Sequence, residues 1–211
     1  MTLTTLKAHS AIFWQLLKSK LITLYRAYPG KVINLCIWVG CTVLVTAYVM
    51  PAFGISRDFG TFQLIGALAS VALFESYGCV VTLIVDFCRQ QNINYYLTLP
   101  VTARMIFGNI VCYYTIVYSL LQIVVIPLGK LMLWDRFSLG AICWGKFFII
   151  LIISNIFFAT LALLLASLID SMERIETVWT RFIFPLWFLG GFQFSWQIVY
   201  GISKPLSYVM L

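Results

Sequence analysis

Five apolar runs, each bounded by charged residues, set the pattern of the chain. No Asp, Glu, Lys or Arg falls between Lys31 and Arg57, Arg104 and Lys130, Lys146 and Asp170, or Arg181 and Lys204, and Glu75 alone interrupts the stretch from Asp58 to Asp86. A hydrocarbon core of about 30 Å takes roughly 20 helical residues. The runs near 32–51, 61–85, 106–128, 147–169 and 180–200 are each long enough to cross it. Backbone groups in lipid must bond internally, which leaves helices or a closed barrel, and the alternation of barrel strands is absent. The pattern predicts an all-α polytopic membrane helix bundle, a single transmembrane domain over 1–211 with five visible spans.

Before the first run the pattern changes. Phe13, Leu16, Leu17, Leu21, Leu24 and Tyr28 recur every three or four residues, with Gln15, Lys18, Ser19, Thr23 and Arg26 on the other side. One apolar stripe at period 3.6 predicts an amphipathic helix over 6–28, lying in the membrane interface with its Lys and Arg on head groups. Pro29-Gly30 is expected to end it before the first span. At the other end, residues 201–211 carry no polar tail. They read as a re-entrant segment or the start of a truncated region, and the fragment lacking a last span is the favoured reading.

Composition sharpens the class. Hydrophobic residues make up 62% of the 211 and charged residues 10%, against about 25% charged in soluble domains. A soluble surface could not be covered, which excludes a cytosolic enzyme, a disordered chain and a secreted disulfide scaffold. The net charge of +7 is spread between the runs, without the basic and aromatic platform of a nucleic-acid binder. Its simpler job is topology and contact with anionic membrane lipid. With the N-terminus inside, the inner segments hold nine Lys/Arg and the outer ones five, so the N-terminus is expected in the cytoplasm. The six cysteines include no C-x-x-C pair and read as small apolar residues.

Little in the chain suggests chemistry of its own. His9 stands alone, and no G-x-S-x-G elbow occurs. Gly140 to Phe147 matches most of a P-loop but has Phe147 where the magnesium-binding Ser or Thr belongs, and no strand context, so the match reads as chance. No metal, cofactor or nucleotide site of the chain's own is expected. Glu75 is the exception: a carboxylate at membrane depth should face the bundle interior or water. It is the candidate intramembrane polar site, able to bind substrate, carry a proton, pair with a basic group, or serve structure alone. Gly66 and Ser70 form a small-xxx-small pair.

The most informative segment joins the second and third runs. From Asp86 to Arg104 it carries Asn92, Tyr95, Tyr96, Leu97, Leu99 and Pro100, too apolar for an idle loop in water. Pro100 halts a helix and Val101-Thr102 restarts one. A short helix pressed into a partner explains the composition; a helix lying in the lipid interface is the alternative.

With Leu97-Thr98-Leu99-Pro100-Val101-Thr102, Arg104 and Gly108 in place, the chain resembles the permease subunits of type-2 ABC exporters. Phe184-Pro185 to Phe192 is similar to that family's fifth span, Gln193 to Tyr208 to its outer re-entrant segment, and the amphipathic N-terminus to its connecting helix. The resemblance implies a six-span permease in a bacterial inner membrane, a homo- or heterodimer of such subunits, and two cytoplasmic ATPase subunits that bind the ATP. Asn92, Tyr95, Tyr96, Leu97, Leu99 and Pro100 would touch the ATPase, and glycans, lipids or drugs would be the cargo. Two other classes stay open: a non-catalytic assembly or scaffold subunit, and a lipid-modifying membrane enzyme, which would need more intramembrane polar groups than Glu75.

Overall fold

The computed structural model describes residues 3–56, 58–98, 101–134, 136–169 and 171–208, with the backbone only at 3–9 and 141. Every element among them is helical: α1 Leu3–Leu44, α2 Phe59–Val85, α3 Asn92–Thr98, α4 Ala103–Met132, α5 Trp144–Ser167, α6 Ile175–Val178, α7 Phe184–Leu189, α8 Trp196–Ile202 and α9 Lys204–Ser207. Single π-helical turns extend α1 (Val45–Val49) and α2 (Asp86–Gln90) and join α6 to α7 (Trp179–Ile183). Four helical stretches are long and apolar enough to cross a membrane: Ser10–Phe53, Phe59–Gln90, Ala103–Met132 and Trp144–Ser167. The protein is an all-α helical bundle with the helices of an integral membrane protein.

The centre of the bundle is α2, which packs against α5, α4 and α1. Its buried face carries Gly60, Gly66, Ala67, Ser70, Ala72 and Ser76. Small residues let neighbouring backbones approach, which is where helix packing in lipid draws its dispersion energy. A side chain at Gly60 would overlap Ala47, and one at Gly66 would overlap the backbone carbonyl of Phe192. The small-xxx-small stripe is thus occupied from within the chain. Ser70 is fully buried and donates to the Ala67 carbonyl at 3.0 Å.

The expected stop at Pro29-Gly30 does not occur, and the 6–28 segment is not a separate interfacial helix. Pro29 lies inside one helix of 42 residues. Proline removes one backbone donor, and in apolar bundles neighbouring groups make up the loss. Here the apolar stripe is covered by the bundle itself: Leu17 and Leu24 are buried, Asn109 Nδ2 donates to the Phe13 carbonyl at 2.9 Å, and Tyr28 Oη donates to the Leu120 carbonyl at 3.1 Å. These tethers hold α1 along α4 before the proline, and beyond it Val39 and Val43 are buried against Val117, Tyr118 and Leu121 in the same cluster.

The fifth run also departs from expectation. Instead of one span over 180–200, the helical path runs from Ile175 to Leu189, broken by its π turn and ended by Gly190 and Gly191, the latter at φ +74°. Four helices, not five, reach spanning length among the described residues. The short path still climbs beside α2. Tyr77 and Trp179 meet at 5.3 Å between ring centroids, Phe74 and Trp187 at 5.5 Å, and Gln63 Nε2 donates to Gln193 Oε1 at 2.9 Å. Beyond it α8 and α9 fold back on each other, with Trp196 Nε1 donating to the Ser207 carbonyl at 3.0 Å. Of the cysteines only Cys79 is buried, while Cys41, Cys88 and Cys143 are exposed; Cys41 lies on the flank of the first spanning helix, and Cys88 and Cys143 lie at helix ends.

Candidate functional site

Glu75 sits on α2, and its carboxylate accepts from Lys31 Nζ of α1. It is the only ion pair among the described residues. Of the roles open to a carboxylate at this depth, the structure shows pairing with a basic group. Ser76 is no partner, since its hydroxyl donates to the Leu73 carbonyl at 2.6 Å. The pair is not sealed: Lys31 is 37% and Glu75 26% exposed. Both line a cavity of about 390 Å³, together with Asn34, Leu35, Trp38, Val71, Phe74 and Trp179. The aromatic walls are mutually braced. Phe74 lies 5.0 Å from Trp38, 5.8 Å from Trp179 and 5.5 Å from Trp187, centroid to centroid. Such edge-to-face and tilted contacts fix ring orientation beyond simple burial.

The second feature is the short helix α3. Asp86, at the end of α2 and nearly buried, holds its start. Asp86 Oδ1 accepts from the Asn92 amide at 3.2 Å and from Asn92 Nδ2 at 2.7 Å, and Oδ2 accepts from the Ile93 amide at 2.8 Å. The carboxylate does the work of an N-cap, satisfying donors that have no partner in the helix. Gln91, at φ 54°, makes the reversal that brings the chain back to it. Ile93 then plugs a buried cluster containing Leu83, Ile84, Ile106, Ile110 and Val178. Half-buried Tyr96 lies under Lys20 of α1, whose Nζ is 5.7 Å from the ring centroid. Asn92, Tyr95 at 64% exposure and Leu97 at 42% are left exposed on the flanks of α3. Leu99 and Pro100 lie outside the described residues.

Asn92, Tyr95, Tyr96 and Leu97 therefore come together on one helix, whereas Glu75 belongs to a different site. Eleven residues of α2 separate Glu75 from Asp86, about 16 Å at 1.5 Å per residue. A third polar group lies inside the bundle. Fully buried Asn155 donates to Ser119 Oγ at 2.9 Å and to Gln122 Oε1 at 2.8 Å, and Gln122 Nε2 donates to the Leu68 carbonyl at 3.2 Å. It clamps α5 to α4 and α2. Among the described residues no three His, Cys, Asp or Glu side chains converge as metal ligands would.

Fold and sites define the chain as a helical integral membrane protein with a cavity beside an ion pair and an exposed connecting helix. Comparison with family models, with characterised proteins and with solved structures finds no match.

Proposed function

We propose that the chain is the membrane-spanning permease subunit of an ATP-driven exporter. It would act as a homo- or heterodimer beside cytoplasmic ATPase subunits that bind the nucleotide, with its N-terminus in the cytoplasm of a bacterial inner membrane. The observation that carries this reading is α3. It is short, locked to α2 through Asp86 and to the core through Ile93, yet it turns Tyr95 and Leu97 outward. A lever between a soluble motor and a set of spans needs this combination of a rigid root and a sticky outer face.

The mechanism follows from the root. When the ATPase subunits close on ATP, a push on Tyr95 and Leu97 passes through the Asp86 hydrogen bonds to the end of α2, and through the Lys20–Tyr96 contact to α1. Because α2 touches α1, α4 and α5, its displacement repacks the bundle. Nucleotide shifts this equilibrium only as far as the ATPase grips the two arrangements differently. The cargo belongs to the glycan, lipid or drug class.

The test is Leu97→Asp in the full chain, with capture of candidate ATPase subunits and ATP hydrolysis as readouts. Losing a central anchor costs about 2 kcal/mol or more, roughly a thirtyfold loss of association. Trp134→Ala, an exposed position at the other end of α4, should leave association unchanged. Unaltered capture by the Leu97 variant would overturn the ATPase contact and with it the permease reading.

A further inference from the structure

We propose that the cavity beside the Lys31–Glu75 pair binds the zwitterionic head group of a membrane phospholipid. The phosphate would rest on Lys31 and Asn34, and the ammonium against Glu75 and the faces of Trp38, Phe74 and Trp179. The proposal stands on the chain alone and holds whether or not an ATPase subunit binds α3.

Four observations converge on it. The first is charge. One ammonium and one carboxylate, paired with each other, lie side by side on the wall of the same cavity, so it carries no net charge but a local dipole. A zwitterion can align with that dipole, whereas a ligand of single charge would meet attraction from one group and repulsion from its neighbour. The second is the wall. Aromatic faces attract alkylammonium groups through the ring quadrupole, most strongly where water is displaced. Three aromatic side chains line this cavity, and Phe74 braces the two tryptophans. A braced wall loses little rotamer freedom on binding.

The third observation is depth. Lys31 closes the charge-free run of the first spanning helix. Its helical part from residue 32 to Phe53 is 22 residues, about 33 Å long, close to one hydrocarbon thickness. The pair therefore lies where one leaflet's phosphates lie. The fourth is backbone. Trp179 opens the π turn Trp179–Ile183, and π turns inside α-helices recur at functional sites. A purely structural ion pair gains nothing from an open volume of about 390 Å³ and two partly exposed charges.

The test uses the full chain in detergent, titrated with dihexanoyl phosphatidylethanolamine, phosphatidylcholine and phosphatidylglycerol, with tryptophan fluorescence and thermal stability as readouts. The zwitterionic lipids should bind saturably and phosphatidylglycerol at least tenfold more weakly. Glu75→Gln and Lys31→Gln should each weaken zwitterion binding about tenfold, the worth of one charge-assisted hydrogen bond. Because either change also disturbs the α1–α2 contact, Trp179→Leu supplies a variant that leaves the pair intact. It should weaken phosphatidylcholine more than phosphatidylglycerol. Trp144→Leu, an exposed tryptophan away from the cavity, should change neither. Equal affinity for all three lipids, or zwitterion binding indifferent to both Glu75→Gln and Trp179→Leu, would overturn the assignment. Saturable binding of soluble glycerophosphoethanolamine with the same variant sensitivity would place the same chemistry on a soluble ligand and overturn the lipid source.

Discussion

Single positions in α2 differ sharply in what they tolerate, and the glycines expose the difference. Gly66 has the backbone carbonyl of Phe192 where a β-carbon would go, whereas Gly78 has nothing within 4 Å. A flexible side-chain end could yield to an added methyl; a carbonyl held by the Gly190–Gly191 turn cannot do so without moving the chain. We therefore expect opposite signs from one chemical change. Gly78→Ala should stabilise the protein by up to about 1 kcal/mol through helix propensity alone. Gly66→Ala should destabilise it by about 1–3 kcal/mol, the usual cost of forcing extra volume into a packed site. It should also loosen the Gln63–Gln193 bond, read as faster cleavage by protease between 190 and 195. Thermal unfolding in detergent of the two variants side by side checks the sign, and equal effects would mean that Phe192 does not pack on α2. The pairing of Glu75 with Lys31 belongs to the same scale. Forty-four residues separate the partners, and nothing local to either fixes which way its helix is rotated.

At the scale of elements, α3 owes its position to one carboxylate. Asp86 Oδ1 and Oδ2 between them take its first two backbone donors, the amides of Asn92 and Ile93. Asp86→Ala should free the helix at a cost of about 1 kcal/mol, the ordinary worth of an N-cap. Hydrogen exchange over 92–98 should accelerate severalfold while exchange in α2 and α4 stays slow. Asp86→Asn, which keeps one acceptor, should fall between; unchanged exchange in Asp86→Ala would leave Ile93 as the sole anchor. Elements were unequally legible in the sequence, for physical reasons. Charge spacing alone placed α2, α4 and α5, because the cost of burying charge in lipid is large and indifferent to detail. The apolar linker before Pro100 foretold α3. Pro29 misled, because whether a proline ends a helix is decided by what covers the stripe on either side. Asn109 and Leu120, some ninety residues away, tether the side before it, and the cluster around Val39 and Val43 covers the side after it. The fifth run misled for a similar reason, since hydropathy does not register a π turn or the reach of the Gly190–Gly191 turn. The Asn155–Ser119–Gln122 clamp was invisible, because three polar residues in two apolar runs meet only after rotation and register are set.

At the scale of the whole molecule, the open question of orientation has a handle in the native chain. Cys88 and Cys143 are both exposed. Cys88 lies in the π turn at the α3 end of α2, and Cys143 immediately precedes α5, beyond the far end of α4. Between them runs α4, whose 30 residues span about 45 Å, more than one hydrocarbon thickness. The two thiols therefore report on opposite faces of the bilayer. Cys41 is exposed on the flank of the first spanning helix, nine residues into its charge-free run, where lipid keeps a water-borne reagent away. If the N-terminus is cytoplasmic, as the Lys/Arg distribution favours, a membrane-impermeant maleimide added to intact cells should label Cys143 and spare Cys88. Permeabilisation should then expose Cys88, and Cys143→Ser should abolish the first signal without affecting the second. The reverse order of labelling would invert the bundle. It would put α3, with Tyr95 and Leu97, on the face away from any cytoplasmic ATPase. The lipid cavity would survive that inversion, because its depth is measured along α1 and either leaflet supplies zwitterionic head groups. One labelling experiment thus separates the two proposals: the motor contact depends on which way the bundle stands, and the head-group site does not.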